Sequence, residues 1–392
     1  MSARLIYYNP AVVNRPENHV LPGLFRFSQL FKVINPTVSV VDRTGTLGLP
    51  IKTHSLFPIP KLRGMNRTFE DLCNERAVDL LRRADRLGVK LYVFWSGGID
   101  STLALISFLK NTTEAERKNI VILLSEDSIN EYPKFYKEHI RGRLQSDSAM
   151  MFPYLLGGKH IVVNGEHNDQ LFGSDMVGHM INKFGPSVIH QPYNRDTFFA
   201  FFNDGINEPT GTNFYLDVLE RLRAAAPVDI ATNFLCLWWF NFCLKWQTVF
   251  MRTLSYAAAR NTGRMNLDYI ATNYSPFYCT EEFQLWSMNN LESRIRDSWK
   301  TYKWVCKDII YEYTKDADYR DNKAKRGSLY FLITQQKSYN FIDETMKFFH
   351  EVSPEQYYEP VNDFAEAADR EPADLSPGRR PHQSRQAATM ST

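Results

Sequence analysis

The chain has 392 residues, of which 44% are hydrophobic and 23% are charged, with 46 lysines and arginines against 44 aspartates and glutamates. This composition is typical of a globular protein, and the length suggests about two or three domains of roughly 150 residues. The near-neutral charge argues against a protein built mainly to neutralise nucleic-acid phosphates, although it does not exclude nucleic acid as a partner through a local basic groove.

The cysteines and the apolar stretches indicate which metal sites are not expected and where in the cell the protein is expected. The five cysteines are irregularly spaced and form no C-x-x-C pair, so zinc ribbons, iron–sulfur sites and dithiol redox motifs are not indicated. With no signal peptide at the N-terminus, we expect free thiols and a cytoplasmic location. The most apolar stretch, residues 234–240, is far shorter than the roughly 20 residues that span a bilayer, so no membrane association is predicted.

The first 65 residues contain prolines, glycines and short β-branched runs such as residues 37–41, which predict an N-terminal segment of strands and turns. A helix is predicted next. Thr68 and Asp71 have the spacing of a capping box, apolar residues then recur with helical periodicity, and Gly88 marks the end.

Residues 89–95, 119–124 and 160–163 are β-branched and aromatic runs that predict buried strands, separated by helical stretches. This alternation predicts an α/β fold with a parallel sheet and flanking helices, in which ligands bind beyond the carboxyl ends of the strands. We assign this core to residues 66–211 and a mainly helical C-terminal part to residues 212–352. Residues 366–392 have few large apolar side chains, which predicts a disordered tail.

The most informative segment follows the first of these strands and contains two adjacent glycines between hydroxyl and carboxylate side chains. Glycines permit a tight turn, and backbone N–H groups at the start of the next helix can bind phosphate together with serine and threonine hydroxyls. The loop has no lysine, so it does not fit the Walker pattern. Its residues are Ser96, Gly97, Gly98, Ile99, Asp100, Ser101 and Thr102.

This S-G-G-x-D-S string resembles the pyrophosphate loop of the N-type ATP pyrophosphatases. Members of that superfamily have a Rossmann-like fold of the adenine nucleotide α-hydrolase type. They cleave ATP between the α- and β-phosphates, activate a substrate as its adenylate, and let a nucleophile displace AMP. The resemblance implies ATP and Mg²⁺ as ligands of this loop, with Asp100 near the metal.

A second segment, residues 165–173 (G-E-H-N-D-Q-L-F-G), follows another predicted strand and resembles the G-E-G-x-D-E-L-F-G motif of asparagine synthetases, β-lactam synthetases and lasso-peptide cyclases. The resemblance implies that Glu166 takes a proton from the attacking amine, that Asp169 binds the metal, and that Gly165 lies in the ATP site. His167 and Gln170 depart from the motif, which has Gly and Glu there.

Residues 274–283 resemble the family's R-x-P-F-L-D-x-x-L-V-E-F segment, with Cys279 in place of the aspartate and no arginine before the Pro-Phe pair. The following helix resembles K-x-x-L-R-E, which implies that Lys303 stabilises pyrophosphate. Lys307, one helical turn later, is the alternative.

Two further groups have weaker assignments. In related enzymes adenine lies against the end of the second strand, here Leu124 and Ser125. Lys323, Lys325 and Arg326 form a basic stretch that could face phosphates or remain solvated.

The resemblance implies an adenylating carbon–nitrogen ligase that activates a small-molecule carboxylate, or an amide oxygen, as its AMP ester and lets ammonia or another amine displace AMP. The chain begins Met1-Ser2-Ala3, its first cysteine is Cys73, and about 90 residues precede the loop, so we expect no glutaminase domain and a possible separate supplier of ammonia. The alternatives are a nucleobase- or tRNA-modifying ATP pyrophosphatase and a nucleotide-binding scaffold that has lost catalysis.

Overall fold

The computed structural model describes residues 4–8, 40–49, 51–323, 340–342 and 347–349. Its strands are β1 (Leu5–Tyr7), β2 (Leu91–Phe94), β3 (Ile120–Leu124), β4 (Gln145–Ser148), β5 (Ile161–Asn164), β6 (Tyr274–Pro276), β7 (Asn340–Ile342) and β8 (Lys347–Phe349). Its α-helices are α1 (Phe69–Leu87), α2 (Ile99–Lys110), α3 (Glu126–Glu131), α4 (Pro133–Phe135), α5 (Phe152–Leu155), α6 (Asn168–Phe172), α7 (Asp175–Phe184), α8 (Arg195–Ile206), α9 (Pro209–Ala224), α10 (Asn233–Leu244), α11 (Trp246–Leu254), α12 (Leu267–Thr272), α13 (Glu281–Asn289), α14 (Trp304–Thr314) and α15 (Ala317–Asn322).

A five-stranded parallel sheet with the order β4-β3-β2-β5-β6 lies at the centre of the fold. Strand β2 is in the middle, with Leu91 opposite Ile120 on one side and Ile161 on the other. The prediction of an α/β fold with a parallel sheet is therefore confirmed, and the architecture is compatible with a Rossmann-like fold.

The two outer strands were not predicted, and both lack the usual strand pattern. Strand β4 has the sequence Gln-Ser-Asp-Ser, which contains no apolar residue and therefore no alternation of apolar and polar side chains. The strand is exposed along its whole length. Strand β6 has three residues and ends in Pro276, which is tolerated because β6 is an edge strand. These two segments form strands because they pair with β3 and β5, and not because their own residues favour a strand.

Helix α1 begins and ends where its capping residues predict. The Thr68 side chain accepts a hydrogen bond from the backbone N–H of Asp71, and the Asp71 carboxylate accepts one from the backbone N–H of Thr68. Gly88 closes the helix in the left-handed conformation, with φ of 62°. Both signals are local, which is why the sequence alone could place this helix.

The core of the helical part is α10, whose side chains are buried around nearly its whole circumference, including Trp238 and Trp239. The apolar stretch at residues 234–240 is therefore an internal helix. Among the described residues, none of the helices combines the length and the apolar character needed to cross a bilayer.

The N-terminal residues contribute β1, which pairs antiparallel with β7 in a small sheet of order β1-β7-β8. Val40 and Val41 are buried but belong to no strand, and the rest of the predicted run at 37–41 lies outside the described residues. The predicted tail at 366–392, Lys325 and Arg326 also lie outside them.

Candidate active site

The glycine-rich loop joins β2 to α2 at the carboxyl edge of the central strand. Helix α2 begins at Ile99 with Gly98 as its N-cap. Gly97 has φ of +75°, and a Cβ atom there would lie 2.5 Å from the carbonyl oxygen of Ser128. Only glycine fits both the backbone conformation and the contact, so this residue sets the shape of the loop.

The serine side chains of the loop bond to one another and to its backbone. Ser101 Oγ accepts a hydrogen bond from the Ser96 backbone N–H at 3.0 Å and lies 2.9 Å from Ser96 Oγ. The Gly98 N–H donates to Ser96 Oγ at 3.3 Å. Thr102 differs from these residues: it is fully buried, and its hydroxyl accepts a hydrogen bond from the Trp95 indole at 3.1 Å, so it packs into the core.

The second motif follows the neighbouring strand β5 and packs directly on the first loop. A Cβ atom at Gly165 would lie 2.9 Å from the Ser101 backbone nitrogen and 3.0 Å from the Asp100 carbonyl carbon. Such distances leave no room for a side chain. The two predicted motifs, 65 residues apart in the chain, therefore meet at the carboxyl ends of adjacent strands.

The ammonium group of Lys303 bridges the two predicted metal ligands. Its Nζ atom lies 2.7 and 2.8 Å from the two carboxylate oxygens of Asp100, and 2.6 Å from Oδ1 of Asp169. The lysine side chain is only 4% exposed. Lys303 has φ of 59° at the N-cap of α14, and its backbone N–H donates to the Arg294 carbonyl oxygen at 2.8 Å, which fixes the base of the side chain.

The charges of this cluster affect one another's ionisation. Burial opposes the charged form of Lys303, but the carboxylates of Asp100 and Asp169 outweigh it and raise the lysine pKa above its usual range. Burial raises the pKa of Asp100, and Lys303 opposes that effect. Asn168, which is fully buried, donates a hydrogen bond to Asp100 Oδ1 at 2.6 Å and so fixes the carboxylate's orientation.

Glu166, the predicted base, pairs with Arg252 of α11 through a 3.1 Å contact between Oε1 and Nη2. Both side chains remain partly accessible, at 29% for Glu166 and 22% for Arg252. Burial raises the pKa of Glu166, while the Arg252 guanidinium lowers it. The arginine therefore helps to keep the carboxylate ionised.

His167 and Gln170, the two departures from the asparagine synthetase motif, have structural roles. His167 adopts a left-handed conformation with φ of 78°, and its ring packs on Trp246 with a centroid distance of 4.5 Å. Burial lowers the pKa of His167 to about 3, so the ring is neutral. Gln170 donates to the side chain of Asn241 at 3.3 Å, and Asn241 in turn bonds to the Asp169 carbonyl at 3.2 Å. These contacts attach the second motif to α10 and α11.

Three other residues predicted to bind ATP, Lys307, Ser125 and Leu124, have local structural contacts of their own. Lys307 is buried, and its ammonium donates to the Lys300 carbonyl at 2.7 Å; burial, together with Lys323, lowers its pKa. Ser125 is the N-cap of α3, and its N–H and hydroxyl bond to Ser128. Leu124 is the last residue of β3. Adenine binding by Leu124 and Ser125 stays a prediction.

Whether the residues could hold Mg²⁺ can be judged from the donor set. Within the described part of the chain, histidine, cysteine, aspartate and glutamate side chains form no group of three or more that could hold a metal ion. Mg²⁺ is usually bound by one or two carboxylates together with substrate phosphates rather than by a cage of protein groups. Asp100 and Asp169 already converge on one cation, so they fit that kind of site.

Three contacts of the site were not predicted: Arg252 with Glu166, Asn168 with Asp100, and Tyr319 with the loop. The Tyr319 hydroxyl donates to the Gly97 carbonyl at 3.0 Å, and its ring stacks on Tyr132 at 3.8 Å. Arg252 and Tyr319 lie on helices far along the chain, where no local pattern distinguishes them. Asn168 lies inside the second motif, at its variable position.

No protein-family model matches the chain, and no curated protein sequence matches it. The likeness to asparagine synthetases therefore depends on the motifs alone.

Proposed function

We propose that the protein is an ATP-dependent adenylating ligase that activates a carboxylate or an amide oxygen as its AMP ester and then lets ammonia or another amine displace AMP from the activated carbon. The observation that carries this proposal is the convergence of Asp100 and Asp169 on the Lys303 ammonium. Asp100 lies in the first turn of α2, Asp169 in the first turn of α6, and Lys303 at the N-cap of α14. Charged groups of opposite sign gathered at the carboxyl edge of a parallel sheet suit the binding of a metal-bound polyphosphate.

In the proposed reaction the loop at residues 96–101 binds the phosphates through its backbone N–H groups and serine hydroxyls. Asp100 and Asp169 would hold Mg²⁺, which supplies charge neutralisation for the phosphates when bound. The acceptor oxygen attacks the α-phosphorus, the bond to the β-phosphate oxygen breaks, and pyrophosphate leaves. Lys303 is suited to stabilise the charge that develops on pyrophosphate.

In the second half-reaction the amine attacks the activated carbon, AMP leaves with the bonding electrons, and the amine gives up a proton. Glu166 Oε is the proposed acceptor of that proton. The partial burial of Glu166 supports the role, because it raises the basicity of the carboxylate.

The test is to incubate the protein with α-labelled ATP, Mg²⁺, ammonium and a panel of carboxylates that begins with aspartate, and to identify the nucleotide product. AMP and pyrophosphate that appear only with a carboxylate support a ligase. Asp100→Asn should abolish AMP formation, while Asp196→Asn, an exposed aspartate in the first turn of α8, should not change it. AMP formation by Asp100→Asn at the wild-type rate would reject the assigned site.

A second candidate is a nucleotide-binding scaffold without turnover. The observation that favours it is the ion pair between Arg252 and Glu166, which reduces the basicity of the proposed base. Tight ATP binding without AMP formation for any carboxylate or nucleic acid would favour this candidate.

A further inference from the structure

We propose that Lys303 is an internal counter-ion that keeps divalent cations out of the Asp100–Asp169 site until a nucleotide enters. This inference rests on the proposed function, because it takes these two aspartates as the metal ligands. It adds an order to binding: the metal enters with the nucleotide and not before it.

Lys303 occupies the position that a metal ion bound to both aspartates would need. The Lys303 ammonium lies within 2.8 Å of both Asp100 oxygens and 2.6 Å from Asp169 Oδ1. A cation that coordinates both aspartates would have to occupy the same space. Metal and ammonium therefore exclude each other at this point.

A Lys303 ammonium group displaced from the aspartates would need a new anionic partner. The backbone of Lys303 is held by the 2.8 Å bond to the Arg294 carbonyl, and Arg294 is itself buried and bonded to Ser287. The backbone of Lys303 is therefore fixed at this edge of the sheet, and an ammonium group displaced from the two carboxylates would need another partner within reach of the side chain. A buried ammonium that has lost its carboxylates is strongly unfavourable unless another anion replaces them.

A triphosphate supplies that anion. When the nucleotide enters, the lysine can pair with phosphate oxygens as the carboxylates turn to the metal, so every charge keeps a partner. Metal and nucleotide then favour each other's binding, and the coupling is the same in both directions.

The experiment titrates Mn²⁺ into nucleotide-free protein and follows free Mn²⁺ by electron paramagnetic resonance. Wild type should bind Mn²⁺ weakly at this site, and Lys303→Met should bind it about tenfold more tightly or more, within the usual range of such couplings. Lys303→Arg keeps the positive charge and should remain weak. Lys307→Met removes a neighbouring buried lysine whose ammonium bonds to a carbonyl, and it should not increase Mn²⁺ affinity.

Equal Mn²⁺ affinity in wild type and Lys303→Met would overturn the proposal, and so would a gain in affinity that persists when Asp169→Asn is added. If Lys303→Met does not fold, as judged by circular dichroism, Mn²⁺ binding by the wild-type protein decides whether the proposal holds. Tight Mn²⁺ binding without nucleotide that Asp169→Asn abolishes would contradict the proposal. Weak Mn²⁺ binding without nucleotide, together with Mn²⁺-dependent binding of α,β-methylene-ATP, would support it.

AMP formation with equal Mn²⁺ affinities in wild type and Lys303→Met would reject only this inference. A gain in Mn²⁺ affinity without AMP formation from any acceptor would reject only the ligase.

Discussion

His167 Nε2 donates a hydrogen bond of 3.0 Å to the backbone carbonyl of Trp246, the first residue of α11. The histidine directly follows Glu166, and the same helix carries Arg252 six residues after Trp246. This bond therefore holds together the two elements whose side chains form the Glu166–Arg252 pair.

His167→Gly, which introduces the residue found at this position of the asparagine synthetase motif, should lower the free energy of unfolding by about 2 kcal/mol. The loss of a buried ring and of a partner for the Trp246 carbonyl outweighs the relief of the left-handed backbone. Urea denaturation measures the change. Asn207→Gly is the matched control, because Asn207 is also left-handed, with φ of 54°, but exposed, and it should be neutral or slightly stabilising. A His167→Gly protein as stable as the wild type would contradict this account.

Arg252→Gln should move the acidic limb of the pH profile for AMP formation to higher pH. Burial already raises the pKa of Glu166 and Arg252 opposes it, so loss of the guanidinium raises the pKa further. A base acts in its ionised form, and activity is therefore lost earlier as the pH falls. The measurement is kcat/KM against pH. Arg252→Lys keeps a positive charge, and the acidic limb of its pH profile should lie close to that of the wild type. An unchanged acidic limb in Arg252→Gln would show that the ion pair with Arg252 does not affect the pKa of Glu166.

Gly165→Ala should destabilise the protein by about 1–3 kcal/mol and abolish AMP formation, because its Cβ would meet backbone atoms of Asp100 and Ser101 that cannot easily move. The substitution forces the two loops apart. Gly205→Ala is the control: it lies in α8 with no heavy atom within 4 Å of the new Cβ, and it should stabilise the protein by up to about 1 kcal/mol. Thermal unfolding and nucleotide analysis of both variants test the difference.

Tyr319→Phe should cost about 1 kcal/mol of stability and weaken ATP binding several-fold. The substitution removes the hydroxyl that donates to Gly97 but keeps the ring stacked on Tyr132. Calorimetric titration with ATP and Mg²⁺ measures the affinity. If ATP affinity is unchanged while stability falls, Tyr319 supports the fold without shaping the phosphate loop.

The parts of the fold that sequence reasoning predicted are those with local causes. The capping residues Thr68 and Gly88 placed α1, and the apolar runs of β2, β3 and β5 placed the central strands. Strands β4 and β6 could not be found this way, because Gln145–Ser148 is polar and Tyr274–Pro276 is too short to show a period.

In the candidate site, too, the sequence predicted the residues that lie in local motifs and missed the contacts between distant parts of the chain. Asp100, Glu166 and Asp169 lie in compact motifs, so their spacing in the chain was informative. The pairing of Lys303 with both aspartates, and of Arg252 with Glu166, depends on how distant helices pack. His167 and Gln170 were seen only as departures, because their contacts with α10 and α11 have no local signature.

The bridge from Lys303 to Asp100 also bears on how the chain matures during synthesis. The two residues are 203 positions apart, so the carboxylates at the sheet edge leave the ribosome long before their counter-charge. Without Lys303, bringing the carboxylates of Asp100 and Asp169 together costs Coulomb repulsion, which disfavours closure of the two loops. A chain that stops short of residue 303 therefore lacks the group that neutralises this edge of the sheet.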